Sequence, residues 1–422
     1  VIELDLTKLS SRVLLGMLTI AICALLTLLI VSRFVVGTLA DRRLQVTRGM
    51  LKIPVEYLPG SARLNARLAS AEFAESDRDL AGAKFYAERA VNLSPFDHRM
   101  WLTLASIEEA TGDRRAAGEA LRTASELAPY YWSVHYRLGN LLVREGKVPE
   151  SLAEFRKAVA ANDALTPGAL DLVWQASTED VNAIRSVCEN NPKAKLALAQ
   201  FLLGKSKPVE AAEVFNSIDR ASRIAAAADS STLMDGLIAA GKMETARDLW
   251  SDLVGVDRGA ALIWNGGFES DFQRSFPQFD WSFNRSEYAV LSIDPASPHS
   301  GSRSLKIEFA GRDTTTLDNE IRQLVAVTPG ARYVLECYFK TEDLEAPEGP
   351  RIVVTDDASS WIAASEPVPA GSSDWRRLSL EFVAPQTSKG AVVISIKRKP
   401  RFSFDEPTRG AVWFDDFSMK QV

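Results

Sequence analysis

Ile263 to Phe272 reads IWNGGFESDF. A glycine pair between Asn265 and Glu269 is turn chemistry, and it follows a long stretch whose apolar spacing is helical. Beyond it the period changes. In ARYVLECYFK, Tyr333, Leu335, Cys337 and Phe339 share one face while Arg332, Glu336 and Lys340 take the other, as a half-buried strand requires. SLKIEF repeats the pattern with Leu305, Ile307 and Phe309, and RLSLEF with Leu378, Leu380 and Phe382. Turn clusters separate these runs: PHSGS, TPGA, APEGP, PAGSS and APQTSKG. Residues 262–422 are therefore expected to form an all-β sandwich or jelly roll.

Upstream of the glycine pair the sequence repeats itself. WLTLASIEEATGDRRAAGEALRTASELAP, from Trp101, aligns with HYRLGNLLVREGKVPESLAEFRKAVAAND, from His135, at a spacing of 34 residues. Leu104 matches Leu138, Ala105 Gly139, Gly112 Gly146, Leu121 Phe155 and Ala124 Ala158, and Pro95 stands one period before Pro129. This pattern resembles the tetratricopeptide repeat. Later units carry Leu198, Ala199, Ala211 and Phe215, then Leu233, Gly241, Ala246 and Trp250, which gives about five helix pairs over 59–255. Thr166 to Asn191 lacks most of the pattern and reads as a degenerate unit or an insert. Small residues such as Ala105, Ala117 and Gly139 let helices approach, and Trp101, Phe155 and Phe215 fill the gaps. Such arrays bind peptides or other proteins in a concave groove; the plainer role is that of a spacer.

Val13 to Ser32, VLLGMLTIAICALLTLLIVS, carries no charge over 20 residues. At a rise of about 1.5 Å per residue it matches the hydrocarbon thickness of a bilayer, so 1–40 is read as an N-terminal segment with a transmembrane anchor and 41–58 as a linker. Thr38 and Ala40 are small enough for a signal cleavage site, although the apolar run exceeds the usual signal length. Counting Lys8 and Arg12 before the run against Arg33, Arg42, Arg43 and Arg48 after it points the bulk of the chain to the cytoplasm. Long domains translocate largely regardless of charge, so the count is a weak vote.

A net charge of -6 and a pI near 5.4 give no phosphate-tracking surface, and nucleic acid is not expected as a partner. Cys23, Cys188 and Cys337 show no CxxC spacing, and the histidines at 98, 135 and 299 are scattered. The acidic pairs Asp356/Asp357 and Asp415/Asp416 are strand neighbours whose side chains should point to opposite faces, so neither converges on one bond. GxSxG, HExxH and phosphate-loop patterns are absent from the sequence. The expectation is a protein that is not an enzyme.

The order NGGFE, HSGSRSLKIEF, QLVAVTPGARYVLECYFKT, DWRRLSLEFVAP and VWFDDFSM resembles the landmarks of carbohydrate-binding modules of the family 4, 9 and 22 type, which are jelly rolls. The resemblance implies a structural calcium held near the first and last strands, with Glu269 and Asp415 at the matching positions and Asp416 beside them. Hard oxygen ligands suit that cation; the alternative is that these carboxylates satisfy backbone donors at the sheet edge. It also implies aromatic faces for sugar stacking. Trp281 and Trp361, in irregular segments, are the candidates, with Tyr288 and Phe276 as lesser ones, and packing under a loop is the alternative for each. Trp375 matches a core landmark. The basic run IKRKPRF, with Lys397, Arg398, Lys399 and Arg401, is read as a solvated strand end, or as a contact for an anionic glycan or phospholipid headgroups.

The expected whole is a multidomain α + β chain: a transmembrane helix, an α-solenoid of helix pairs and a jelly-roll sandwich. Its expected role is a scaffold on the outer side of a bacterial inner membrane, engaging protein partners and polysaccharide during surface polysaccharide assembly or export. The rival is a protein-interaction scaffold without a glycan ligand, facing the cytoplasm.

Overall fold

The computed structural model describes residues 9–39, 47–74, 78–189, 191–257, 261–312, 316–356, 359–402 and 404–422. Lys8, Arg42 and Arg43 of the charge count, Ala40 of the cleavage reading and Asp357 of the acidic pair lie outside them. The chain divides into two compact units, Val1–Glu189 and Asn190–Val422.

The first unit is helical. The apolar run lies in α1 (Leu9–Leu39), of which Arg12–Leu39 is long and apolar enough to cross a membrane. There follow α2 (Arg48–Tyr57), α3 (Ala62–Ala74), α4 (Leu80–Leu93), α5 (His98–Thr111), α6 (Arg114–Leu127), α7 (Trp132–Arg144), α8 (Val148–Ala161), α9 (Thr166–Ala176) and α10 (Val181–Val187). Caps set several boundaries: the Asp79, Asp97, Asp113 and Asp180 carboxylates each accept a backbone N–H in the first turn of the next helix. Gly112 ends α5 in the left-handed region at φ +88°.

Alanines 83, 87, 90, 105, 117, 120 and 124 are buried at the helix contacts, as the repeat requires. Gly139 of α7 faces the buried Phe155 ring of α8; a Cβ there would lie 3.1 Å from three ring atoms. The irregular stretch after Thr166 is a shortened helix pair, α9 and α10, burying Leu170, Val173, Trp174, Ile184 and Val187. It is a degenerate unit and not an insert.

The second unit joins helices to the sandwich. Its helices are α11 (Pro192–Gly204), α12 (Pro208–Asn216), α13 (Arg220–Ala225), α14 (Ala227–Ala239) and α15 (Met243–Val254). The strands are β1 (Ser282–Phe283), β2 (Ala289–Asp294), β3 (Ser304–Ala310), β4 (Ile321–Ala326), β5 (Arg332–Glu345), β6 (Arg351–Asp356), β7 (Trp361–Ala364), β8 (Gly371–Val383), β9 (Ala391–Lys397) and β10 (Arg409–Gln421). They form two antiparallel sheets in the orders β1-β4-β9-β6-β7 and β2-β3-β10-β5-β8.

The alternating residues meet between the sheets, where Leu305, Ile307, Leu335, Cys337, Ile352, Val354, Ile394 and Phe414 form one core. Burial pushes the Cys337 thiol far above its ordinary range, as befits an inert core residue. Trp250 of α15 fixes the helices to the sandwich. Its indole N–H donates to the Phe276 carbonyl at 2.7 Å, and its ring meets the rings of Trp264 and Phe279 edge-on at 6.0 and 5.8 Å.

Candidate functional site

The NGGFE turn brings the start of the sandwich against its last strand. Asn265 and Phe268 sit at φ +50° and +58°, and the Phe268 N–H donates to the Asn265 carbonyl. The Gly266 carbonyl accepts from the Phe417 N–H at 2.9 Å, an approach so close that a Cβ on Gly266 would fall 2.0 Å from the Phe417 carbonyl oxygen.

Glu269, Asp415 and Asp416 do converge there. A Cβ on Gly267 would lie 3.4 Å from Asp416 Oδ1, 3.7 Å from Asp415 Oδ1 and 3.8 Å from Glu269 Cγ. Their oxygens, however, are turned onto the segment 299–303. Glu269 accepts from the Ser302 N–H at 2.8 Å, the Ser302 hydroxyl at 2.5 Å and the Arg303 N–H at 3.2 Å, and these bonds, led by the hydroxyl, hold its carboxyl below the usual range. The fully buried Asp415 accepts from the N–H groups of His299 (2.8 Å), Ser300 (3.3 Å) and Asp416 (2.8 Å); burial nevertheless pushes its pKa up to about 6. Asp416 takes the His299 Nδ1 contact at 2.6 Å and the Ser300 hydroxyl at 2.8 Å.

The expectation that Asp415 and Asp416 point apart is thus corrected. β10 bulges between Asp415 and Ser418, with Asp416 at φ +50°, and the irregularity turns both side chains to the same segment. Among the described residues no group of three or more His, Cys, Asp or Glu side chains is arranged to hold a metal ion. As arranged, the three carboxylates accept from donors of the segment 299–303.

The aromatic candidates separate by burial. Trp281 is 3% exposed, packed against the tilted ring of Phe268 and edge-on to Phe417, with its indole N–H donating to the Asn265 carbonyl. Phe276 is buried as well. Neither can present a ring face to a ligand, because the irregular segment carrying them plugs the end of the core. Tyr288 is half-buried just before β2. Trp361, 60% exposed, opens the edge strand β7.

Trp375 departs from its core landmark. It is half-buried against His299, whose ring stacks on Tyr338 at 3.8 Å, so the face of the second sheet away from the core carries an aromatic cluster. Beside it Trp413 lies between Lys306 and Lys340, which sit 5.2 and 5.4 Å from its ring.

The outer face of the first sheet has groove-like chemistry. Ile352, Val354, Ile394 and Ile396 point into the core, so by alternation Val353, Thr355, Val393 and Ser395 face outward. Arg322, Ser395, Val353 and Ala364 pair across β4, β9, β6 and β7, and Leu324, Val393, Thr355 and Trp361 form the next row. Val353, Thr355 and Ser395 are buried although they face away from the core, which makes a shielded floor of small side chains. The second row ends at the exposed Trp361.

The basic run is tied down. Lys397 and Lys399 both reach Asp318 at 2.8 Å, Arg401 reaches Glu348 at 2.9 Å, and Arg398 is buried. The two phenylalanines flanking position 403, Phe402 and Phe404, stack on each other at 5.2 Å and are exposed; the sequence reading passed over them because no period marks a loop.

Comparison with known proteins follows the same division. Residues 98–131 match a tetratricopeptide repeat model, and residues 260–400 match the model of a carbohydrate binding domain. Both family models are of binding types. No curated protein matches the chain. Among solved structures, one described as "CBM4 structure and function" is similar at 17% identity and TM-score 0.28, over 38% of this chain and 99% of that one. The MamA protein is similar at 16% identity and TM-score 0.31, over 37% of this chain and 83% of that one. A putative sugar binding protein from Bacteroides thetaiotaomicron is similar at 12% identity and TM-score 0.28, over 39% and 100%.

Proposed function

We propose that the chain is a membrane-anchored, non-catalytic scaffold whose repeats engage a protein partner and whose sandwich holds a glycan, in the assembly or export of surface polysaccharide at a bacterial inner membrane. The observation that carries the glycan part is Trp361, an exposed indole at the rim of a floor of small, shielded side chains on the first sheet. Ligand sites combine an aromatic face with polar groups, and on this face the exposed Arg322 supplies one. For the partner, Phe96 and Tyr130 occupy equivalent positions one repeat apart and are both exposed, which makes a periodic aromatic edge.

Retention of the chain on immobilised bacterial polysaccharides tests this. Trp361→Ala is expected to weaken retention about tenfold while leaving the fold intact, the loss typical of a single aromatic anchor. Trp281→Ala is expected to destabilise the sandwich instead, since it empties part of the core.

A second reading is favoured by the Trp250 contact, in which the sandwich closes the end of the repeat array as a cap. Under it the sandwich needs no sugar, and Trp361→Ala changes nothing because the parent chain is not retained on any polysaccharide.

A further inference from the structure

β8 is an edge strand. It pairs with β5 on one side, and among the described residues no strand lies on the other. From Arg376 to Val383 the pairing with β5 runs through eight residues without a register shift, whereas the edge strands β1, β7 and β2 are only two, four and six residues long. Such an edge offers a row of backbone N–H and C=O groups to another strand, and this stretch has neither the proline nor the bulge that would blunt it.

Its side chains indicate which strand fits. Leu378, Leu380 and Phe382 face the core, and Trp375, Arg377, Ser379, Glu381 and Val383 alternate onto the outer face. Arg377 and Val383 are 59 and 49% exposed, Ser379 and Glu381 are exposed as well, and Trp375 is half-buried. Read from Ser379 outward in both directions, the outer row complements itself. A second β8 laid antiparallel about a two-fold axis at Ser379 sets Arg377 opposite Glu381 twice and Trp375 opposite Val383 twice. On the core side Leu378 meets Leu380, and Arg376, exposed at the rim, meets Phe382 and no like charge. Other registers lose this match. An axis at Arg377 or Glu381 opposes like charges, and one at Leu378 or Leu380 leaves the charges opposite Ser379, Trp375 or Val383. Within its own chain Arg377 reaches Glu336 at 3.5 Å, on the β5 side, so its free side stays open to the second copy.

We propose that two copies of the chain pair antiparallel along β8, about a two-fold axis at Ser379, and so join their five-stranded second sheets edge to edge. A second copy is chosen over an unrelated strand because the charge pattern is its own complement.

The test uses the full chain with Cys23→Ser in detergent micelles, where Cys188 and Cys337 stay buried. Ser379→Cys, oxidised with copper phenanthroline, is expected to give a disulfide-linked dimer, because the two residues face each other at the axis. Val383→Cys, several residues from the axis, is expected to give little. Adding Arg377→Glu or Glu381→Arg to Ser379→Cys turns both attractive pairs repulsive and should lower the yield about tenfold. Mixing those two reversed chains restores opposite signs at every pair and should restore the yield, as a heterodimer. Equal linking at 379 and 383 overturns the proposal in favour of pairing through another surface, such as α1. A yield indifferent to charge reversal overturns it too. A loss that mixing does not restore also overturns it, since the reversals then act on each chain's own fold and not between copies.

Discussion

At the scale of one residue, the two glycines of NGGFE do different work. Gly266 lies against the backbone of β10, where a Cβ would meet the Phe417 carbonyl oxygen at 2.0 Å, and backbone does not retreat as a side-chain tip does. Gly267 has its nearest side-chain oxygen at 3.4 Å, an ordinary contact. Gly266→Ala is therefore expected to destabilise the sandwich by about 3 kcal/mol, the upper range of overpacking, and Gly267→Ala to stay within about 1 kcal/mol. Urea unfolding followed by tryptophan fluorescence reads both; equal effects would show that the close approach at Gly266 is relieved by a shift of the turn. The sequence marked this pair as a boundary because glycine is rare punctuation inside helical spacing. It left open which of the two is indispensable, since that depends on a strand about 150 residues later.

At the scale of elements, β10 and the segment 299–303 form a strap. The bulge at Asp415 to Ser418 lets two neighbouring carboxylates bind one loop, at the cost of burying Asp415. Its folded pKa of about 6 lies above the ordinary aspartate value of 3.8. Between those two values the folded chain binds more protons at this site than the unfolded one, so its contribution to stability falls as pH rises from about 4 to about 6 and is flat above. Asp415→Asn should remove that fall. The stability difference between parent and variant, measured by urea unfolding, is expected to change across this window and stay constant from pH 7 to 8; a constant difference throughout would show that Asp415 titrates normally.

Such a bulge was not legible in VWFDDFSM, because strand alternation read without a register puts neighbours on opposite faces. The strands themselves were legible, since Leu305, Ile307 and Phe309 or Tyr333, Leu335 and Cys337 announce a two-residue period. Trp281 and Phe276 stay open between stacking and packing in the sequence for the complementary reason. They lie in a segment without period, where burial is decided by tertiary contacts with Phe417 and Trp250 that no local pattern encodes.

At the scale of the whole molecule, two boundaries exist and they differ. Periodicity changes at Leu262, whereas the compact units part between Glu189 and Asn190, which groups α11 to α15 with the sandwich. The sequence shows the first because period is a local property; the second depends on tertiary contacts, among them those of Trp250, an aromatic that satisfies the repeat pattern and also closes on the sandwich. A repeat array gains stability from neighbours stacked on each face, and an end unit without a cap frays. In this chain the sandwich supplies the neighbour: Trp264, Phe279 and the Phe276 carbonyl receive Trp250, and the Gln278 amide donates to Ser231 and Asp235 of α14.

Trp250→Ala removes a buried aromatic and leaves the Phe276 carbonyl without its donor, a loss of about 3–5 kcal/mol. If 190–422 unfolds as one body, hydrogen exchange should then accelerate together in α14, α15 and the core strands β3, β5 and β10, while α3 to α8 keep their protection. Faster exchange confined to α14 and α15 would mean that helices and sandwich are independent domains touching at one tryptophan. The joint response is expected, because the contact is made by buried rings on both sides and not by a surface pair.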